Sequence, residues 1–292
     1  MTIQILINIL LSSSVYALLV FSFRIKYLTL RFFDFSHAII ITFGGYFTYL
    51  FSVLMDFNLF LAISLAIISS VIISLLILQF IYKPLQKRNT ENWQMLVASL
   101  GIYIILQNII SIIFGDENKS IRTWEIKKGY NFLNAYITGI QITLVFSTII
   151  LLLLTWLFLN KTKIGKKIKA VSSNPTLSSI LGISNDKATI WSFIIGSFLA
   201  SISGILITLD SDMIPTIGFN WLLYAVVAMI IAGMGKLRYV FMSVVLLATA
   251  QHLSAYYIDS KWMNATAYII LIVFLYFKPY GFSGKKLKKA EL

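Results

Sequence analysis

An all-α, polytopic integral membrane protein with eight or nine transmembrane helices is what this 292-residue sequence predicts, and three observations carry the prediction. Apolar stretches long enough to cross a bilayer follow one another along the chain, separated by short polar links. Hydrophobic residues make up 59% and charged residues 12%, with a mean hydropathy of +0.86, a balance suited to lipid rather than cytosol. Lys and Arg alternate between crowded and sparse links, as the positive-inside rule requires.

In chain order the expected spans are 5–23, 35–55, 59–81, 93–114, 136–159, 188–209, 221–235, 239–258 and 262–277. The third to the sixth contain no Asp, Glu, Lys or Arg. A central charge costs about 2.5–3.5 kcal/mol and each Leu, Ile, Val or Phe returns only about 0.3–0.6, so that absence is decisive. The seventh and ninth are the shortest, which leaves the count at eight or nine. No basic region precedes Ile5 and no small-residue cleavage site follows, so the first stretch reads as a retained span. No linker or repeat divides the chain, which reads as one membrane domain over residues 1–292 with its longest basic loop at 160–187.

With nine crossings and an external N-terminus, the links 24–34, 82–92, 160–187, 236–238 and 278–292 face the cytoplasm and hold 19 of the 24 Lys and Arg residues. The C-terminal Lys285, Lys286, Lys288 and Lys289 are then cytoplasmic and suited to membrane lipid headgroups. The longest external link, 115–135, is mixed in sign, with Asp116, Glu117, Lys119, Arg122, Glu125, Lys127 and Lys128. Asp210 and Asp212 occupy an external link with no base of its own.

The net charge of +13 lies in clusters between spans rather than along one face, which excludes nucleic acid as a partner. There is no Cys, hence no disulfide or thiolate metal site. Two distant histidines form no HExxH motif, no GxSxG occurs, and neither Gly165-Lys166-Lys167 nor Gly233-Met234-Gly235-Lys236 completes a phosphate loop. The chain therefore reads as no enzyme, with no catalytic residues, no metal and no cofactor of its own.

The loop 160–187 combines six Lys residues with an apolar periodicity. Asn174 is placed to cap a helix opened by Pro175, and Gly182 stands where a left-handed terminus favours glycine. Leu177, Ile180 and Leu181 share one face of that helix. So short a helix is marginal alone and gains stability by docking on its own membrane domain, on lipid or on another protein.

Within the spans, Ser192, Gly196, Ala200 and Gly204 recur every four residues beside Ser197 and Ser201, a seam for close helix packing. Gly44 and Gly45 suggest packing or a kink in the second span. Asp34 is placed to cap that span, with His37 on the same face, while a gate at the cytoplasmic entrance is the rival reading. His252 reads as a hydrogen-bonded packing residue.

Residues 163–183, KIGKKIKAVSSNPTLSSILGI, resemble the cytoplasmic coupling loop of branched-chain amino acid ABC importer permeases of the LivH type. Gly165, Lys166, Lys167, Ala170, Val171, Pro175, Leu181, Gly182 and Ile183 match its pattern. FDFSHA at 33–38 with Gly44, Gly45 and Tyr46, residues 96–115, residues 192–206 and FKPYGFSG at 277–284 are similar in order and spacing, so the resemblance spans nearly the whole chain. Departures are Asp34 for an asparagine, Ala38 for a glycine, Gln251 for a frequent glutamate, and an altered turn at 232–239.

The resemblance implies an ATP-binding cassette importer permease in a bacterial cytoplasmic membrane, for branched-chain or other small amino acids. Its implied partners are a second, homologous permease, two cytoplasmic ATPases carrying ATP and Mg, and an extracytoplasmic substrate-binding protein. Lys166, Lys167, Lys169, Leu177, Ile180 and Leu181 would meet the ATPase, and Asp34, Ser36 and His37 are possible elements of the permeation path or gate. Relatives for urea or short amides, an ion-driven secondary transporter and a membrane enzyme using His37 or His252 are the alternatives.

Overall fold

The computed structural model describes residues 2–88, 90–122, 129–132, 135–233, 235 and 237–283. The basic tail Lys285, Lys286, Lys288 and Lys289, together with Glu125, Lys127, Lys128, Met234, Lys236 and Gly284, lies outside the described residues. Twelve α-helices carry the described chain: α1 (Thr2–Leu30), α2 (His37–Tyr49), α3 (Leu59–Ile77), α4 (Lys83–Lys87), α5 (Asn92–Phe114), α6 (Gly139–Lys161), α7 (Lys163–Ser173), α8 (Pro175–Ile180), α9 (Asn185–Asp210), α10 (Ile217–Ala232), α11 (Leu237–Tyr257) and α12 (Met263–Phe277). One small antiparallel hairpin, β1 (Tyr130–Phe132) and β2 (Ala135–Ile137), precedes α6. Two π-helical turns, Leu50–Leu54 and Leu78–Tyr82, extend α2 and join α3 to α4.

Eight helical segments among the described residues are long and apolar enough to cross a membrane, and α10 adds a shorter apolar helix of 16 residues. At 1.5 Å per residue α10 reaches roughly 24 Å, less than the 30 Å of a hydrocarbon core. The protein is a multi-pass membrane protein, and the eight-or-nine ambiguity turns on this one helix.

Several boundaries differ from the expected ones, each for a local reason. The first span does not stop at Phe23: α1 runs 29 residues to Leu30 and buries Arg24 and Lys26 at 7% and 1% exposure. A charge turned into the protein interior does not face lipid, and there it needs a paired, hydrogen-bonded partner instead. The fifth span does not begin at Tyr136, which lies in β2; Thr138 and Gln141 bond each other's backbone N–H and open α6 at Gly139. Glu91 and Gln94 make the same reciprocal box at the start of α5, and the Asn58 carboxamide accepts from Phe60 N–H at 3.0 Å to open α3. The second span opens two residues later than expected, at His37.

Contacts divide the chain into two compact units. One comprises Phe21–Glu125 and Leu151–Leu222, with α2, α3 and α9 packed together at its centre. Close approach there depends on absent side chains: a Cβ on Gly204 would collide with the Ile41 carbonyl oxygen, and one on Gly44 with that of Ser201. Gly45 faces Thr208 and Met213, Gly196 faces Lys26 and the Ser22 carbonyl, and Ser192 and Ala200 are fully buried, so the small-residue seam of α9 is occupied by α1 and α2 of this chain. At one end of this unit Lys119 and Met213 form a β-bridge, and Arg122 pairs with Asp212 at 2.8 Å, supplying the base that the acidic link lacked.

The other unit comprises Met1–Val20, Ile126–Ile150 and Leu223–Leu292. Here Gln251 accepts from the Tyr16 hydroxyl at 2.7 Å and donates to the Met263 carbonyl at 3.2 Å. His252 bonds Ser12 at 2.8 Å, the packing role expected of it. Phe282 N–H bonds the Ile231 carbonyl at 2.8 Å, which folds residues 277–283 onto the end of α10.

Candidate functional site: the coupling loop and the buried entrance to α2

The loop 160–187 contains two helices at an angle rather than one. Thr162 caps α7 by accepting from Gly165 N–H at 3.0 Å, and a Cβ at Gly165 would collide with the Phe158 carbonyl, so α7 folds tightly back on the end of α6. Gly165, Ile168 and Val171 form its buried face; Ala170 is partly exposed, and Lys166, Lys167 and Lys169 are exposed. Asn174 both ends α7 and caps α8, its carboxamide accepting from Leu177 N–H at 3.0 Å, and Pro175 opens α8 where no N–H is needed. Gly182 ends the motif at φ +74°.

The apolar side chains of α8 point outward: Leu177, Ile180 and Leu181 are 52%, 77% and 69% exposed, while Ser178 is the buried residue. Asn185 clamps α8 to the start of α9, donating to Ser179 Oγ at 2.9 Å and to the Pro175 carbonyl at 3.3 Å. The result is an exposed apolar peg in a lysine-rich loop, the combination of apolar centre and charged surroundings that protein interfaces favour.

The second constellation lies at the α1–α2 joint. Asp34, expected to cap α2, does not. Its carboxylate turns away to accept from Ser36 Oγ and Tyr82 Oη, each at 2.6 Å, and its second oxygen lies 3.9 Å from Lys26 Nζ. Ser36 itself occupies the cap position without a side-chain cap bond. The competing pull is the buried ammonium: Lys26 and Asp34 are each 1% exposed, and a charge so enclosed is stable only when paired and bonded. Lys26 also donates to Ser74 Oγ at 3.0 Å and lies 4.6 Å from the Phe193 ring centre, while Ser197 donates to Ser74 at 2.5 Å. His37 diverges from Asp34, bonding Ser22 at 3.0 Å beside the Phe23 ring.

Asp34, Ser36 and His37 are thus brought together with Lys26, Ser74 and Tyr82, all buried at 2% exposure or less. Sequence reasoning missed the last three. The available signal was a base and an acid, Lys26 and Asp34, bracketing one membrane edge. The joint also touches the loop 160–187: Arg31, at φ +63°, donates to the Ser172 carbonyl of α7 at 3.2 Å.

The start of α10 meets this joint. Gly218 N–H donates to Thr42 Oγ1 at 3.2 Å, and the Phe219 ring lies 6.1 Å from Phe35 and 4.9 Å from Tyr103. Tyr103 is the central residue of the 23-residue α5, so α10 begins at the mid-depth of that span rather than at its end. Discontinuous helices that start inside a membrane domain are a recurrent feature of transporters.

Residues 5–277 match the family described as branched-chain amino acid transport system, permease component. The chain is similar to the high-affinity branched-chain amino acid transport system permease protein LivH of Salmonella typhimurium, 25% identical with 93% of this chain and 92% of that protein covered. It is also similar to BraD of Pseudomonas aeruginosa, a permease protein of the same description, at 23% identity over 97% and 95% of the two chains. Among solved structures, PsaBC from Streptococcus pneumoniae in complex with Fab aligns with a TM-score of 0.54 at 12% identity, covering 95% of this chain and 93% of that one, which is a likeness of fold. With the family match running from the first helix to the end of α12, this chain belongs to the permease component family of branched-chain amino acid transport systems.

Proposed function

We propose that this chain is the membrane-spanning subunit of an ATP-binding cassette importer that carries branched-chain or other small amino acids inward across a bacterial cytoplasmic membrane. The curated relatives named as branched-chain amino acid permease proteins support the substrate class. The family is one of transport permeases, and in this proposal the work of hydrolysis falls to separate ATPase subunits carrying ATP and Mg. The observation that carries this reading is the apolar peg of α8, held by the Asn174 cap and the Asn185 clamp, with Leu177, Ile180 and Leu181 outward.

The positive-inside rule puts the peg and its lysines in the cytoplasm and the N-terminus outside. Two ATPases, a second homologous permease and an extracytoplasmic binding protein complete the assembly, and the whole chain acts in it as one transmembrane domain. Closure of the ATPases moves α8, and Asn185 passes that motion to α9. The Arg31 contact passes the motion of α7 to the joint carrying Asp34, Ser36 and His37, which acts as the gate. Alternating access is then a shift between two packings of these helices.

Reconstitution of the full complex with its binding protein tests this: ATP-dependent uptake of leucine, isoleucine or valine is expected, absent when the ATPases are omitted. Uptake by the purified chain alone, driven by a proton or sodium gradient, refutes the reading. Uptake of urea in place of amino acids corrects its substrate.

A further inference from the structure

Exposed polar side chains in the spans of this protein usually satisfy themselves. Ser64 donates to the Phe60 carbonyl, Asn108 to that of Ile104 and Thr143 to that of Gly139, each one turn back along its own helix. Such back-bonding lets a polar group face acyl chains at little cost. Thr216 and Asn220 break this pattern. Both are exposed, Thr216 in the turn immediately before α10 and Asn220 in its first turn, and neither side chain bonds any described residue.

Their depth makes this informative. The neighbouring Phe219 stacks on Tyr103 at the centre of α5, and Gly218 is tied to Thr42 in the second turn of α2, so this face lies at the level of the middle of α5. A carboxamide and a hydroxyl facing hydrocarbon there would be left without partners, which membrane proteins avoid by turning such groups toward water or protein. Beside them Phe35 and Phe219 are each partly exposed, so the face combines two hydrogen-bonding groups with two aromatic rings.

We propose that Thr216, Asn220, Phe35 and Phe219 form this subunit's wall of the substrate passage, where Thr216 and Asn220 hydrogen-bond the charged backbone end of a passing amino acid and the rings receive its apolar side chain. This deepens the proposed function and rests on it for the identity of the solute. The passage wall is distinct from the buried Lys26–Asp34 network, which presents no surface.

The chain contains no cysteine, so single-cysteine variants report cleanly. In the complete reconstituted importer during ATP turnover, Thr216→Cys and Asn220→Cys are expected to react with a membrane-impermeant methanethiosulfonate. Ile105→Cys, on the 62%-exposed face of α5 near Tyr103, is expected to remain unmodified. Modification at Asn220→Cys is expected to block leucine uptake while basal ATP hydrolysis continues. Asn220→Leu is expected to lower uptake about tenfold through loss of one hydrogen bond to a charged group. Reactivity at positions 216 and 220 no greater than at position 105 overturns the proposal, as does unchanged uptake in Asn220→Leu. Because labelling is read independently of uptake, an assembly that labels at 220 but carries no amino acid would refute the substrate class and leave the passage standing.

Discussion

The joint between α1 and α2 and the peg of α8 invert the usual rule in opposite directions. At the joint, an ammonium, a carboxylate and a phenol are sealed within the membrane domain at 1% exposure or less. At the peg, three large aliphatic side chains stand out from a basic loop at 52% to 77% exposure. The first inversion is stabilised internally, each charged group having a bonded neighbour. The second has no such remedy among the described residues, and under the proposed function it falls to a partner. Buried polarity and exposed apolarity thus mark two kinds of working part, one that must hold its shape and one that must be held by something else.

If that contrast is right, damage to the joint is felt as stability and damage to the peg as coupling. Asp34→Ala should have the largest effect: it strands the Lys26 ammonium without a counter-ion and should cost about 3–5 kcal/mol, read as lost yield and a lower unfolding temperature in detergent. The paired Lys26→Met and Asp34→Leu change should recover most of that stability without recovering uptake, as the proposed gate role of Asp34 requires. Gly204→Leu follows, since its side chain meets the Ile41 backbone and overpacking costs about 1–3 kcal/mol, measured the same way.

Leu181→Asp should leave yield and unfolding temperature unchanged and weaken ATPase association by about 2 kcal/mol, with hydrolysis no longer stimulated by substrate. A drop in unfolding temperature comparable to that of Asp34→Ala would erase the distinction between the two regions. Asn174→Ala is the mildest, removing the cap of α8 for about 1 kcal/mol, visible as faster hydrogen exchange at the Leu177 amide.

Legibility in the sequence followed the range of the interactions involved. The spans were readable because the absence of charge is a local property of each stretch. The peg was readable for the same reason, since Asn174, Pro175 and Gly182 determine its cap, first turn and terminus within nine residues. The reciprocal boxes at Thr138 and Gln141 and at Glu91 and Gln94 were equally local signals, and they set the starts of α6 and α5 more closely than hydropathy did.

What was hidden depended on distant chain. The continuation of α1 through Arg24 and Lys26 required knowing that Asp34, Ser74 and Phe193 enclose the ammonium. The cap at Asp34 failed because Tyr82, 48 residues away, competes for the same oxygen. The mid-depth start of α10 follows from a ring stack with Tyr103 that no window of sequence contains.

The π-helical turn at Leu78–Tyr82 carries a consequence for how this protein tolerates length change. A π turn accommodates one surplus residue, so a length change inside it is absorbed while one in the regular helix before it is not. Removing one of Leu78–Ile81 would let the turn close into α-helix and keep Tyr82 aimed at Asp34, whereas removing one residue from α3 would swing the phenol about 100° off its target. A one-codon deletion in α3 would be invisible to composition, yet it would sever the tyrosine from the carboxylate as thoroughly as replacing either of them.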